Sequence, residues 1–281
     1  MKKKIFKIIA VVVLLIVGLL IAIPFFLEAK IGDIIRNNVN NSVNATLDFS
    51  DANLSLIRSF PNAEVSLKDV SLVNKVPFEG DTLFASNEVS LSMGVMQLLK
   101  SSGDPISISK LIIENAKLHI KVDENENVNY DIAKESQVGD DNSASNTEGF
   151  TFNMETYEIN NSTIVYDDFA TGIHLQVNEM NHKGTGDLSL ANSELDTHTD
   201  ALVTFEMDSV NYLNKNKVQL DALIGIDLNE NKYSFLKNEA PVNQLPLVFE
   251  GFVKVNEDNQ ELDISFKTPS SDFKNFLAVI P

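Results

Sequence analysis

Val65-Ser66-Leu67-Lys68-Asp69-Val70-Ser71-Leu72-Val73, Leu111-Ile112-Ile113-Glu114-Asn115-Ala116-Lys117-Leu118-His119 and Tyr157-Glu158-Ile159-Asn160-Asn161-Ser162-Thr163-Ile164-Val165 are three versions of one pattern, each starting 46 residues after the one before. Two apolar residues, two positions apart, precede a polar residue, an Asp or Asn, a compact residue and a second alternating pair. Alternation with period two marks a β-strand with one apolar face. The phase inverts inside the unit: Leu111 and Ile113 are odd-numbered, whereas Leu118, Ile120 and Val122 are even. A regular strand would send the two sets to opposite faces. A β-bulge returns them to one face, and so does a two-residue hairpin turn. Asp and Asn suit either device, because they tolerate left-handed backbone. Gly, the preferred second turn residue, is absent from all three copies, which favours a bent strand. A further step of 46 lands on Val203, where Phe205, Val210 and Tyr212 echo the pattern weakly.

Period two persists on both sides of these units. Leu47 and Phe49, Leu54 and Leu56, and Val89, Leu91 and Met93 alternate with polar residues, and alternation runs long from Ile106 to Val122. Strand-like segments follow at residues 163–166, 173–177, 202–207, 218–228, 247–255 and 262–266. A short helical run over residues 95–100, with Met96, Leu98 and Leu99 apolar, interrupts them. Before Val43 the period is helical, with Ile31, Ile34, Ile35, Val39 and Val43 at helical spacing. Glu135 to Gly149 has almost no apolar residue and no period, so it reads as a flexible loop or linker. It lies between the second and third copies without disturbing their spacing, and the sheet is expected to continue across it.

The chain has 281 residues, 43% hydrophobic and 22% charged, the composition of a folded protein. Its formal net charge is −18; the first 30 residues hold five Lys and one Glu, which leaves −22 for the rest. Such an acidic domain repels nucleic acid and stays soluble rather than lying on anionic lipid. There is no Cys, so disulfides, thiolate catalysis and thiolate metal sites are excluded. Ile8 to Leu27 is a 20-residue stretch without charge. At about 1.5 Å per residue a helix of that length spans a bilayer core of about 30 Å. Lys2, Lys3, Lys4 and Lys7 precede it, which places the N-terminus in the cytoplasm and the rest outside. A cleaved signal peptide has a shorter apolar core and small residues at the cut. Here Pro24-Phe25-Phe26-Leu27 is bulky, so the helix is expected to stay, with Ile8, Leu14, Leu20, Phe25 and Leu27 among its anchor residues.

Motifs for chemistry are missing. His119, His174, His182 and His198 form no HExxH or other metal-spaced pair, and all read as surface histidines, His119 on the polar side of its strand. Asp123 to Asn127 starts like a calcium loop, but Val128 and Lys134 stand where Gly and an acid are needed. It reads instead as a polar hairpin tip. Asp140-Asp141 lies in the linker and Asp167-Asp168 after a strand end, so both pairs read as solvated. No GxSxG, P-loop or GxGxxG occurs. An enzyme is not expected, nor a cofactor or metal. What remains is the apolar strip of Ile106, Ile108, Leu111, Ile113, Leu118, Ile120 and Val122. It is either an ordinary sandwich core or the lining of a trough that admits an acyl chain.

The order of features resembles the N-terminal region of the AsmA family. A charged N-terminus and one membrane helix lead to a stretch ending V-S-L-K-D-V-S-L. Then come A-S-N-E-V-S-L-S-M-G-V-M-Q-L-L-K, the strand pair from Ile106 to Ile120, and D-E-N-E-N-V-N-Y-D-I. Asn129-Tyr130-Asp131 fills the place of the family's Asn-aromatic-Asp run, although the turn before it lacks the usual Gly. Residues 1 to about 133 carry the resemblance. It implies a mainly β protein, with a transmembrane helix, then a long curled antiparallel sheet forming a groove, and a short helix near 95–100. The corresponding parts are 1–30 (cytoplasmic tip and anchor), 31–134 (AsmA-like β region), 135–149 (linker or loop) and 150–281 (continuing groove). Family members are usually much longer, so the chain is expected to be a fragment or the first segment of a longer groove. The resemblance, which extends to TamB and bridge-like lipid-transfer proteins, further implies a place in the inner membrane of a diderm bacterium, with the sheet in the periplasm. The role is outer-membrane biogenesis, by shielding or conducting phospholipid; the alternative is a scaffold that affects outer-membrane protein insertion. The partners expected are membrane phospholipid and other envelope proteins, not nucleic acid. The groove candidates are Val65, Leu67, Val70, Leu72, Ile106, Ile108, Leu111, Ile113, Leu118, Ile120, Tyr157 and Ile159.

Overall fold

The computed structural model describes residues 30–56, 59, 61–99, 106–134, 150–187, 190–256 and 259–269. The expected membrane helix, the linker 135–149 and the last twelve residues lie outside them. A helix, α1, covers residues 30–42. The strands are β1 (Ala45–Asp48), β2 (Asp51–Ser55), β3 (Asn62–Asn74), β4 (Thr82–Gly94), β5 (Ile106–Glu114), β6 (Lys117–Val122), β7 (Phe150–Asp168), β8 (Ile173–Thr185), β9 (Asn192–Met207), β10 (Val210–Asp227), β11 (Lys232–Glu239), β12 (Val248–Val255) and β13 (Gln260–Lys267). The helical run after β4 is a single 3-10 segment, Val95–Leu99.

All these strands join one curled sheet in the order β1-β3-β4-β5-β7-β8-β9-β10-β11-β12-β13. β2 continues β1 along β3, and β6 continues β5 between β4 and β7. The sheet is mixed rather than wholly antiparallel as the resemblance implied: β5 and β6 both run parallel to β7. After β6 the chain turns back through a bridge between Val122 and Val128 and reaches Val43 through Ala133. It re-enters the sheet at Phe150, level with Ile106, the start of β5. A return to the same end of a neighbouring strand is a crossover, and crossovers produce parallel pairs.

The repeat has a plain physical meaning. Asp69, Asn115 and Asn161 all have left-handed backbone, with φ of 49°, 53° and 44°. Each supplies the odd step that inverts the alternation, so the strand bends and does not turn back. The copies lie side by side: Asn161 Nδ2 donates to Asn115 Oδ1 at 2.7 Å, and Ala116 N donates to Ser162 Oγ at 2.9 Å. β1 and β2 break at Phe49-Ser50, where Ser50 Oγ donates to Asp69 Oδ2 at 2.6 Å. The bend continues through Glu179 in β8 (φ 50°) and Lys215 in β10 (φ 52°), each at a register shift. The weak fourth copy took the other device: Asp208 and Ser209, both left-handed, make a two-residue hairpin between β9 and β10.

The packed core lies at one end. Ile35 of α1, Leu47, Phe49, Leu54, Leu56, Ala63, Val65, Leu67, Val70 and Met93 form one buried cluster, with Ile31, Val39, Leu72, Phe84, Val89 and Leu91 against it. Residues from before Asp69 (Val65, Leu67) and after it (Val70, Leu72) meet in that cluster, so the bend does bring both sets to one face. Asn115→Val should cost about 1–2 kcal/mol, because a β-branched side chain opposes left-handed backbone. Asn115→Gly should cost less, because Gly adopts positive φ freely. Urea midpoints of the two variants check the order.

Candidate functional site

Residues paired across neighbouring strands share a face, so the registers trace the apolar face across the sheet. One row runs Leu54, Val65, Leu91, Leu111, Tyr157, Gly184 and Thr197. The next runs Ala52, Leu67, Val89, Ile113, Ile159, His182 and Thr199. Beyond the bend come Leu72, Phe84, Leu118, Ile164, Val177 and Val203, and then Ile120, Tyr166, Leu175 and Phe205. Burial changes along these rows. Val65 is 0% exposed and Leu67 4%, beneath α1. Leu111, Ile113, Leu118, Ile120, Tyr157 and Ile159 are only half-buried. Toward the last strand Leu262 and Phe266 reach 61% and 66%.

A polar spot interrupts the lining at β7 to β9. Tyr157 Oη lies 2.7 Å from His182 Nε2, and His182 Nδ1 lies 2.7 Å from Thr199 Oγ1. Burial, and then the charge of His198, hold the His182 imidazole below its ordinary value, so it is neutral at pH 7. Burial also pushes the Tyr157 hydroxyl up. The ring of Tyr157 lies over Gly184, where a Cβ would sit 2.3 Å from it. The alternation in β8 flips at Glu179 and puts His182 and Gly184 on the lining. The left-handed residue of that bend is a Glu, although Asn178 and Asn181 flank it, which is why the sequence did not distinguish His182 from a surface histidine.

The opposite face is charged and cross-linked. Lys110 pairs with Glu158 at 3.0 Å. His119 Nε2 and His174 Nδ1 meet the two oxygens of Asp167 at 2.7 and 2.5 Å. His198 meets Asp221 and Asp200 at 2.5 and 2.9 Å, and these two partners, Asp221 first, raise its pKa. Asp167 is thus not the solvated residue after a strand end that its sequence suggested. It lies inside β7 with its side chain 20% exposed. Burial raises its pKa, but the hydrogen bonds from His174 and His119 outweigh that and hold the carboxyl below its ordinary value. Among the described residues no group of three or more His, Asp or Glu is arranged to hold a metal ion.

Asn129, first of the Asn-Tyr-Asp run, is 2% exposed and completes the edge of β6. Its Oδ1 accepts from Lys121 N at 2.8 Å and its Nδ2 donates to His119 O at 2.7 Å. Asn74 Nδ2 donates to its carbonyl at 2.9 Å. An amide side chain that carries a donor and an acceptor in this way stands in for a strand's backbone.

The structure divides the residues singled out from sequence. Val65, Leu67 and Val70 are buried in the core cluster, and Leu72 is half-buried beside it. Leu111, Ile113, Leu118, Ile120, Tyr157 and Ile159 fall on the half-buried lining. Ile108 is 1% exposed, and strand alternation puts it on the face opposite Leu111 and Ile113. Ile106 pairs with Phe150, but its side chain lies outside the description. So do the anchor residues Ile8, Leu14, Leu20, Phe25 and Leu27. Among the described residues no helix is long and apolar enough to cross a membrane.

A broad, bent, mainly β sheet with one apolar and one charged face is the class of protein that the described residues define. Within that class the chain belongs to the AsmA family, whose model matches residues 1–267, well past the residues that carried the resemblance. No curated protein and no solved structure matches it.

The depressed Asp167 stabilises the fold above the ordinary carboxyl value of 3.8, and that stabilisation is lost as pH falls through the folded value. Asp167→Asn should therefore cost about 1.5–3 kcal/mol at pH 7. The gap to the native chain should close in acid, which urea unfolding from neutral to acid pH measures.

Proposed function

We propose that this chain is a single-pass inner-membrane protein of a diderm bacterium that shields phospholipid acyl chains along its apolar face, between the inner and outer membranes. Residues 8–27 anchor it, the sheet occupies the periplasm, and no bond is made or broken. The observation that carries this reading is the half-burial of the lining from β5 onward, where Leu111, Ile113, Tyr157 and Ile159 keep apolar surface in reserve. Membership of the AsmA family supports the same role.

Energetics explain why such a face is useful. Exposing a methylene to water costs about 0.8 kcal/mol, so an acyl chain crossing an aqueous space unprotected costs on the order of 10 kcal/mol. A protein lining as apolar as the bilayer makes the transfer close to neutral. The −22 outside the first 30 residues keeps the sheet soluble and off anionic lipid surfaces. It also leaves nucleic acid unattractive as a partner.

Mass spectrometry of the detergent-free domain, residues 30–281, should detect co-purifying phospholipid. Ile113→Asp, on the lining, should reduce bound lipid at least about tenfold, since a carboxylate against acyl chains loses more than 1.4 kcal/mol. Lys117→Asp, exposed on the opposite face, should leave bound lipid unchanged. A lipid-free domain that captures an envelope protein instead would replace this reading with a scaffold.

A further inference from the structure

Helix α1 lies on the same apolar face that the registers carry onward to β9. Ile31, Ile35 and Val39 enter the cluster of Leu54, Val65 and Leu67, and these are the first members of the two rows that continue to Leu111, Tyr157, Ile113 and Ile159. We infer that α1 is a fixed stopper: it closes the lining over β1 to β4, so that acyl chains occupy the face from β5 onward and are never admitted past the helix. This inference rests on the lipid-shielding role proposed above and locates the site within it.

The seating of α1 argues against a gate. The Arg36 guanidinium donates to Phe49 O at 3.1 Å, lies 4.1 Å from the centre of the Phe49 ring and pairs with Asp48 at 3.3 Å. Asn40 bonds Leu47 in both directions, accepting from its N at 2.6 Å and donating to its O at 3.3 Å. The helix C-terminus is tied down as well. Lys134 Nζ donates to the carbonyls of Asn40 and Asn41 at 2.8 and 3.1 Å, and Asn44 N donates to Ile132 O at 2.6 Å. Those carbonyls lack helical partners, and a cation there also opposes the helix dipole. Lifting α1 would break these contacts together and return Ile35, Leu56 and Val65, all under 7% exposed, to water. Partly buried residues further along the rows carry no such cover from α1.

A disulfide tests this directly. The chain has no Cys, and a Cβ at Gly32 would lie 3.4 Å from Cβ of Ala52, close to disulfide geometry. The full chain carrying Gly32→Cys and Ala52→Cys is oxidised or reduced in native membranes, with a photo-crosslinking amino acid at Ile159. Crosslinked phospholipid is then quantified. A fixed stopper predicts that the disulfide forms readily and the crosslink yield is the same in both states. Loss of the crosslink on oxidation, restored by reduction, would show a gate and overturn the inference while leaving lipid shielding intact. Failure of the pair to oxidise would equally overturn the fixed seating. Absence of crosslinked lipid in both states would overturn the lipid-shielding role itself, and the stopper with it.

Discussion

A bent sheet can keep one greasy side only if its strands change phase at the bend, and a left-handed residue is what permits that. Asp69, Asn115 and Asn161 take positive φ in β3, between β5 and β6, and in β7, and Glu179 and Lys215 extend the line. Without the extra step, Leu118 and Ile120 would point to the side of Lys110 and Glu114, and Leu111 and Ile113 would share a side with His119. Both faces would then be mixtures. The step costs little at Asp or Asn, whose short polar side chains also bond across the bend: Asn161 to Asn115, and Asn160 Nδ2 to Glu114 Oε1 at 2.8 Å.

Separation of the faces has consequences for both. On the charged side, carboxylates can sit between imidazoles and lysines, as Asp167 does between His119 and His174. On the apolar side, what differs from strand to strand is cover. α1 and the first four strands build an ordinary core of buried aliphatic side chains. Farther along, Leu111, Ile113, Leu118, Ile120, Tyr157 and Ile159 continue the rows outside that cluster and remain half-buried, although Thr197 at the end of the first row is buried again. The sheet is therefore a globular core at one end that passes into a surface. The polar spot of Tyr157, His182 and Thr199 lies on that surface with its hydrogen bonds met internally, so it interrupts the lining without introducing a charge.

Asn129 shows how a short motif can serve architecture. Its amide completes the edge of β6 and steers the chain so that Ala133 meets Val43 and Lys134 reaches the end of α1. The residues that follow β6 thus brace the helix that closes the lining.

The amino-acid sequence determined the strands, their period, the bend within each repeat and the −22 of the main domain, because alternation, left-handed tolerance and charge are local properties. It marked the bends that carry Asp or Asn and passed over those at Glu179 and Lys215, whose residue types signal no left-handed backbone. For the same reason it could not place His182 on the lining. Tertiary structure alone decided that β5 and β6 run parallel to β7, because a crossover depends on where the chain returns. It also decided which part of the apolar face is core and which is surface. Val65 and Ile113 are interchangeable as sequence; only one of them has a helix above it, and contact between distant segments is not written in the spacing of either.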